Sequence, residues 1–161
     1  DAFSELRNST QRKVKLVLVG DGPDRARLEK MQGADHIIFM GSLSGIQLAE
    51  AYASANVFVF ASQVETFGNV VLEAMASGLA IIAYDYACAQ LHAKHQQTGW
   101  LCPIGNIKQL TQHILEIPDN ATLRSMGQQA MHEVQTIGWQ QPVQQFEQAL
   151  YRVKQDSKLL T

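Results

Sequence analysis

Val57-Phe58-Val59-Phe60-Ala61-Ser62-Gln63-Val64-Glu65-Thr66-Phe67-Gly68-Asn69-Val70-Val71-Leu72-Glu73-Ala74-Met75-Ala76-Ser77-Gly78, followed after Leu79 by Ala80-Ile81-Ile82-Ala83, decides the fold. The opening run to Ala61 is short, β-branched and aromatic, with no polar alternation, and reads as a strand buried on both faces. Asn69 to Ser77 reads as a helix ended by Gly78, where a left-handed residue is easily placed. The run from Ala80 is a second doubly buried strand. Strand, helix and strand in this order make a parallel crossover unit. The same alternation extends in both directions. Further strands are predicted at 15–19, 36–39 and 99–102. Helices are predicted near 24–31, 45–53, 87–95, 107–115, 120–136 and 141–154. The fold class is α/β, a Rossmann-like doubly wound parallel sheet, and such sheets bind ligands beyond the carboxyl ends of their strands. The loops after Val19, Phe39, Ala61 and Ala83 are therefore where chemistry is expected. The last predicted helix follows Gly138-Trp139, carries Pro142 near its start and repeats apolar residues at Phe146, Leu150 and Val153. It reads as a packing helix, with an apolar stripe that could serve as an interface.

The chain has 161 residues, which suits one domain spanning 1–161; a chain of that length buries about 70% of its unfolded surface. Charged residues are 17% and glutamine occurs 18 times, so amides rather than ions cover much of the surface. The net charge of −2 comes with 13 dispersed basic residues. No basic face of the kind that captures a phosphate backbone is visible, which argues against a nucleic-acid partner. Apolar runs of only a few residues span no bilayer. Cys88 and Cys102 lack metal-type spacing and read as buried free thiols of a reducing, cytoplasmic compartment. His36, His92, His95, His113 and His132 share no ligand pattern, so no metal site is expected. Asn8-Ser9-Thr10 and Asn120-Ala121-Thr122 match glycosylation acceptors, which carry no meaning in a cytoplasmic chain. There is no initiator Met and no signal peptide, and Asp1-Ala2-Phe3 opens as if within a helix, so a piece of something larger is expected.

Two loops carry candidate chemistry. Gly20-Asp21-Gly22-Pro23 follows the first strand, where two glycines permit a sharp turn and Pro23 can begin a helix whose free amides favour anions. A third fingerprint glycine is replaced by Arg25, and the second strand ends in Phe39-Met40-Gly41 without a ribose-binding acid, so no nicotinamide or flavin is expected. The stronger constellation is Glu65 to Glu73. A helix starting at Gly68 or Asn69 leaves the amides of Gly68, Asn69 and Val70 pointing outward at the positive end of the dipole, a natural seat for phosphate. Glu73 lies about 6 Å further along the axis and can lean back to the same mouth. Val70, Val71, Leu72, Ala74, Met75 and Ala76 around it are all apolar, which predicts a helix buried nearly all round, where a lone carboxylate needs partners. Carboxylates grip vicinal hydroxyls rather than phosphate, so two acids flanking an anion seat describe a nucleoside diphosphate sugar.

These segments resemble one family. Gly-Asp-Gly-Pro, Phe39-Met40-Gly41, the run from Tyr52 to Ser62, Glu65 to Gly78 and Thr98-Gly99-Trp100-Leu101 are together similar to the C-terminal, donor-binding domain of family 4 glycosyltransferases with the GT-B fold. Ala83-Tyr84-Asp85-Tyr86-Ala87 is similar to the bacterial subgroup that uses GDP-mannose. The resemblance implies a retaining, metal-independent transferase without cofactor, moving a hexose from a nucleotide sugar to a glycan or lipid. It implies Glu65 as the catalytic-site acid on the donor-sugar hydroxyls, with Phe67 and Gly68 offering amides to the sugar. Asn69, Val70 and Gly20 would serve the diphosphate, Glu73 the ribose, and Met40 and Leu43 the base. In the family an Arg and a Lys that neutralise the diphosphate come from a strand and loop upstream of this sequence, and Arg7, Arg12 and Lys13 do not stand in that motif. The resemblance thus implies a fragment without the N-terminal acceptor domain and without the first strand and loop of its own domain. Such a fragment would be inactive alone and would hold donor at about millimolar affinity, near −4 kcal/mol. It also leaves room for peripheral association of the intact enzyme with the inner membrane face. Two other readings stay open: a sugar-nucleotide epimerase or hydrolase of the same fold, and a non-enzymatic Rossmann-like interaction module.

Overall fold

The computed structural model describes residues 2–31, 36–135, 137–138, 143–144 and 146–148. The elements run α1 (Ala2–Ser9), β1 (Leu16–Val19), α2 (Arg25–Leu28), β2 (Ile37–Gly41), α3 (Gly45–Ala53), β3 (Val57–Phe60), α4 (Asn69–Ala76), β4 (Ala80–Tyr84), α5 (Ala87–His92), β5 (Gly99–Cys102), α6 (Ile107–Leu115) and α7 (Asn120–Gln135). The helix expected at 141–154, with Leu150 and Val153, lies mostly outside the described residues.

Among the described residues the strands pair in parallel, with one isolated antiparallel bridge between Gly20 and Gly41. β1 pairs with β2, Leu16 opposite Ile37, and β4 is central to β3 and β5, with Val57 opposite Ala80 and Ile81 opposite Gly99. The expected single sheet is instead two ladders, β1-β2 and β3-β4-β5. Both ladders are runs of sequential parallel strands joined by helices, the way doubly wound sheets are built.

Burial divides along the same line. Every residue of β4 is buried, because its two faces are both covered. Ile81 and Ala83 meet Val71 and Met75 of α4 and Cys88 and Ala89 of α5, while Ile82 and Tyr84 meet Leu110 of α6. The other strands were expected to be equally buried and are not. Val17, Val19, Ile38 and Met40 are each more than 40% exposed, since that face of β1 and β2 has no comparable cover among the described residues. Helix α7 closes the core beside β4 through Leu123, Met126 and Ala130. It approaches so closely that Gly127 lies against the turn at Gly78. That turn ends α4 with Gly78 N donating to Met75 O at 2.9 Å and Leu79 N to Ala74 O at 3.1 Å, the paired bonds of a left-handed helix stop.

Candidate functional site

Strand β3 delivers its chain at the carboxyl edge of the sheet, and the loop from Ala61 to Gly68 turns it into α4. Gly68 makes the turn with φ 88° and ψ 46°. A Cβ there would meet Cys88 Cβ at 3.6 Å and Phe60 at 3.7 Å, ordinary contacts, so glycine is demanded by the left-handed dihedral rather than by space. Three bonds shape the loop. The Tyr86 hydroxyl donates to the Glu65 carbonyl at 3.2 Å, Cys88 N to the Phe67 carbonyl at 2.9 Å, and the Ser62 hydroxyl to the Val64 carbonyl at 3.2 Å. Beneath them a cavity of about 10 Å³ is lined by Phe60, Ser62, Glu65, Tyr84 and Tyr86 among others, room for about one water. The helix has no side-chain cap, and among the described residues no acceptor meets the amides of Asn69 and Val70. Of the three amides expected to face outward at this helix start, that of Gly68 belongs to a buried residue, Val70 is half-buried and Asn69 is exposed.

Glu65 is half-buried in the loop and Phe67 is 39% exposed at its rim. Glu73 differs from expectation, because it is exposed rather than enclosed. Val71, Ala74 and Met75 form the buried stripe of α4, and position 73 falls about 200° around the helix from Val71. The buried partner that an enclosed acid would need is not required. Glu73 nevertheless has one partner: its Oε2 accepts from the Tyr52 hydroxyl at 3.1 Å. Burial, then the nearby Glu73 charge, pushes the Tyr52 phenol up to about 12, so it stays a donor at any physiological pH. Sequence reasoning assigned Tyr52 and Tyr86 no role. Each bond spans 21 residues, and no local pattern encodes such a pairing.

Other expected residues are placed as follows. Gly20 stands at the end of β1 with φ 125°, and its N–H is committed to the Gly41 carbonyl at 2.7 Å. Gly22 N donates to Asp21 Oδ1 at 2.8 Å. The helix expected to begin at Pro23 is a single turn from Arg25 to Leu28, too short to sum a dipole, so this loop lacks the amide array predicted for it. Met40 belongs to β2 itself rather than following it, and Leu43 is half-buried before α3. Both cysteines are free and buried. Phe67 meets the His92 ring edge-on at 6.2 Å, and the His95 and His113 rings lie 5.9 Å apart. Among the described residues no three His, Cys, Asp or Glu gather as metal ligands, and no described helix is long and apolar enough to cross a membrane. Arg7, Arg12, Lys13, Lys15 and His36 line a groove of about 460 Å³ at the amino ends of β1 and β2.

Comparison with known proteins adds to this geometry. Residues 1–120 match the family model described as "Glycosyl transferases group 1". A GDP-mannose-dependent alpha-mannosyltransferase of Mycobacterium tuberculosis is 46% identical over 95 residues, 59% of this chain and 25% of that protein. An N-acetyl-alpha-D-glucosaminyl L-malate synthase of Bacillus anthracis is 30% identical over 98% of this chain and 42% of its own. The solved sucrose-phosphate synthase of Thermosynechococcus elongatus superposes with a TM-score of 0.71 at 30% identity, over 97% of this chain and 42% of that one. The chain thus spans between a quarter and about two fifths of these three proteins.

Proposed function

The chain belongs to the group 1 glycosyl transferases, and from that premise we propose that it is the donor-binding half of a retaining, metal-independent hexosyltransferase. The intact enzyme moves a mannose- or glucose-type sugar from a nucleoside diphosphate to a glycan or lipid, in the cytoplasm or at the inner membrane face. The observation that carries the reading is that Glu65 stands in the loop before α4 and Glu73 within α4, flanking along the chain a helix start that has no side-chain cap and follows β3.

The chemistry follows from that placement. The diphosphate sits on the amides of Asn69 and Val70, beside Gly20, and gains negative charge as the sugar leaves. Fixed amides and the helix dipole, already aimed there, stabilise that charge without reorganising. Glu65 is the catalytic-site acid: its carboxylate accepts from the sugar hydroxyls, while Phe67 and Gly68 supply backbone amides to the same ring. Glu73 accepts from the ribose diol, and Met40 with Leu43 packs on the base. The GDP-mannose dependence named for the mycobacterial relative supports guanine and mannose.

Among the described residues β1 and β3 are each unpaired on one side, which supports a further part of the proposal. A preceding segment supplies the central strand between them and the cationic groups of the diphosphate site, and an acceptor domain supplies the facing wall of the cleft. Without them this chain binds donor at about millimolar affinity and does not complete transfer. The test is a calorimetric titration with GDP, UDP, ADP, GDP-mannose and UDP-glucose, repeated with Glu73→Gln. Preference for one nucleotide, with its binding weakened in the variant, is expected. Equal binding of all five, or binding indifferent to the substitution, overturns the donor reading, and transferase activity of this chain alone overturns its incompleteness.

A further inference from the structure

We propose that Tyr52 is a positioning residue that holds the Glu73 carboxylate in the orientation in which it receives a ribose diol; the inference rests on the donor reading of Glu73. An exposed glutamate on a helix samples several rotamers, and a flexible carboxylate loses that freedom each time it grips a ligand. Glu73 is exposed, and α4 itself offers nothing to fix it, since its own packing residues Val71, Ala74 and Met75 lie on the other side. The Tyr52 hydroxyl does fix it, at 3.1 Å to Oε2.

The phenol is itself anchored. Its ring meets Phe58 edge-on at 5.9 Å and 62°, and Phe58 stacks on Phe60 at 5.8 Å and 17°. Phe60 in turn lies under Gly68 at the start of α4. One aromatic row therefore ties the last turn of α3 to β3 and to the helix that carries the acid, so the hydroxyl and the carboxylate are referred to a common rigid support. The bond uses one oxygen of an acceptor with two oxygens and about four lone-pair positions. Oε1 and the remaining lone pair of Oε2 stay available to two adjacent hydroxyls. Tyrosine suits the task, because an uncharged donor aligns the carboxylate without neutralising it. A lysine or arginine there would weaken its attraction for hydroxyl donors.

The experiment compares GDP with 2′,3′-dideoxy-GDP, and UDP with 2′,3′-dideoxy-UDP, by calorimetry on the full chain, unmodified and as Tyr52→Phe, Glu73→Gln and the double variant. Tyr52→Phe keeps the ring packing and removes only the hydroxyl. Its expected effect is about tenfold weaker binding of the preferred ribonucleotide, the scale of one hydrogen bond to a charged group, with the dideoxy form unchanged. The double variant is expected to bind like Glu73→Gln alone. Phe58→Leu, which loosens the ring without touching the hydroxyl, is expected to give a smaller loss with the same dependence on the diol. Equal loss for both ligands in Tyr52→Phe, no loss, or tighter binding overturns the positioning role, provided that Glu73→Gln weakens the ribonucleotide more than its dideoxy form. If Glu73→Gln weakens both ligands equally or neither, the ribose assignment falls instead, and the two failures are distinguishable.

Discussion

Gly127→Ala separates what the helix wants from what the packing allows. Within α7 the change should help, since alanine is about 1 kcal/mol better than glycine in a helix interior. The tertiary structure opposes it. A Cβ at 127 would lie 1.8 Å from the Gly78 carbonyl oxygen and 2.6 Å from its carbon. Both are backbone atoms of the turn that ends α4, so no flexible side chain can yield. Restoring an ordinary contact requires α7 to withdraw by roughly 1.5 Å, which loosens Leu123, Met126 and Ala130 against β4 and α4. Overpacking of this kind costs up to about 3 kcal/mol, leaving a net loss near 2 kcal/mol after the helical gain. For a chain of this length that is a fall in Tm of about 4–8 °C. Thermal unfolding followed by circular dichroism measures it, with Gly22→Ala as the control. Gly22 has open space around its Cβ position and no positive φ, so the control should leave Tm unchanged or raise it by about 1–4 °C. A Gly127→Ala protein as stable as the parent, or more stable, would refute the argument and show that α7 is not seated on the Gly78 turn.

Tyr86→Phe removes the bond to the Glu65 carbonyl, at a cost of about 1 kcal/mol in stability. Affinity for GDP-mannose should fall relative to GDP in calorimetry; an unchanged ratio would detach Tyr86 from the sugar-facing loop. Burial, then the neighbouring His95, holds the His113 imidazole below its ordinary 6.5. The unfolded chain therefore takes up a proton near pH 6.5 that the folded one resists, and stability should decline as pH falls below about 6.5. Denaturant unfolding between pH 8 and 5 should show this decline, flattened in His113→Asn; identical pH profiles would refute it. Burial pushes both the Cys88 and Cys102 thiols up, so a thiol reagent at pH 8 should label them only on unfolding. Rapid labelling of the native chain would contradict their placement.

The alternation of strands and helices was readable because its signals are local. A run such as Ala80 to Ala83 has a composition that only a doubly covered strand accepts, and Gly78 marks a helix end through its own backbone freedom. The boundaries of α3, α6 and β5 fall where the sequence places them. The two-acid loop was legible for the same reason, since Glu65, Gly68 and Glu73 are close in sequence and their placement needs only a strand, a turn and a helix. Burial was read less well. Six apolar neighbours suggested that Glu73 is enclosed, yet whether a side of α4 is covered depends on which elements arrive there, and among the described residues nothing encloses it. Likewise, five apolar strand runs predicted one sheet buried throughout, whereas β1 and β2 pair apart from β3, β4 and β5 and keep a face open.

By itself, then, the sequence determined the α/β class, the order of elements, the turn at Gly68 and the pair of acids, because each depends on residues within a few positions of one another. Only the tertiary structure decided that Tyr52 holds Glu73, that Tyr86 shapes the Glu65 loop, that the Gly20 amide is spent on Gly41 and that α7 seats Gly127 on Gly78. These contacts join residues 20 or more positions apart, and their partners are chosen by how close the packed layers approach, which no local pattern of residues contains.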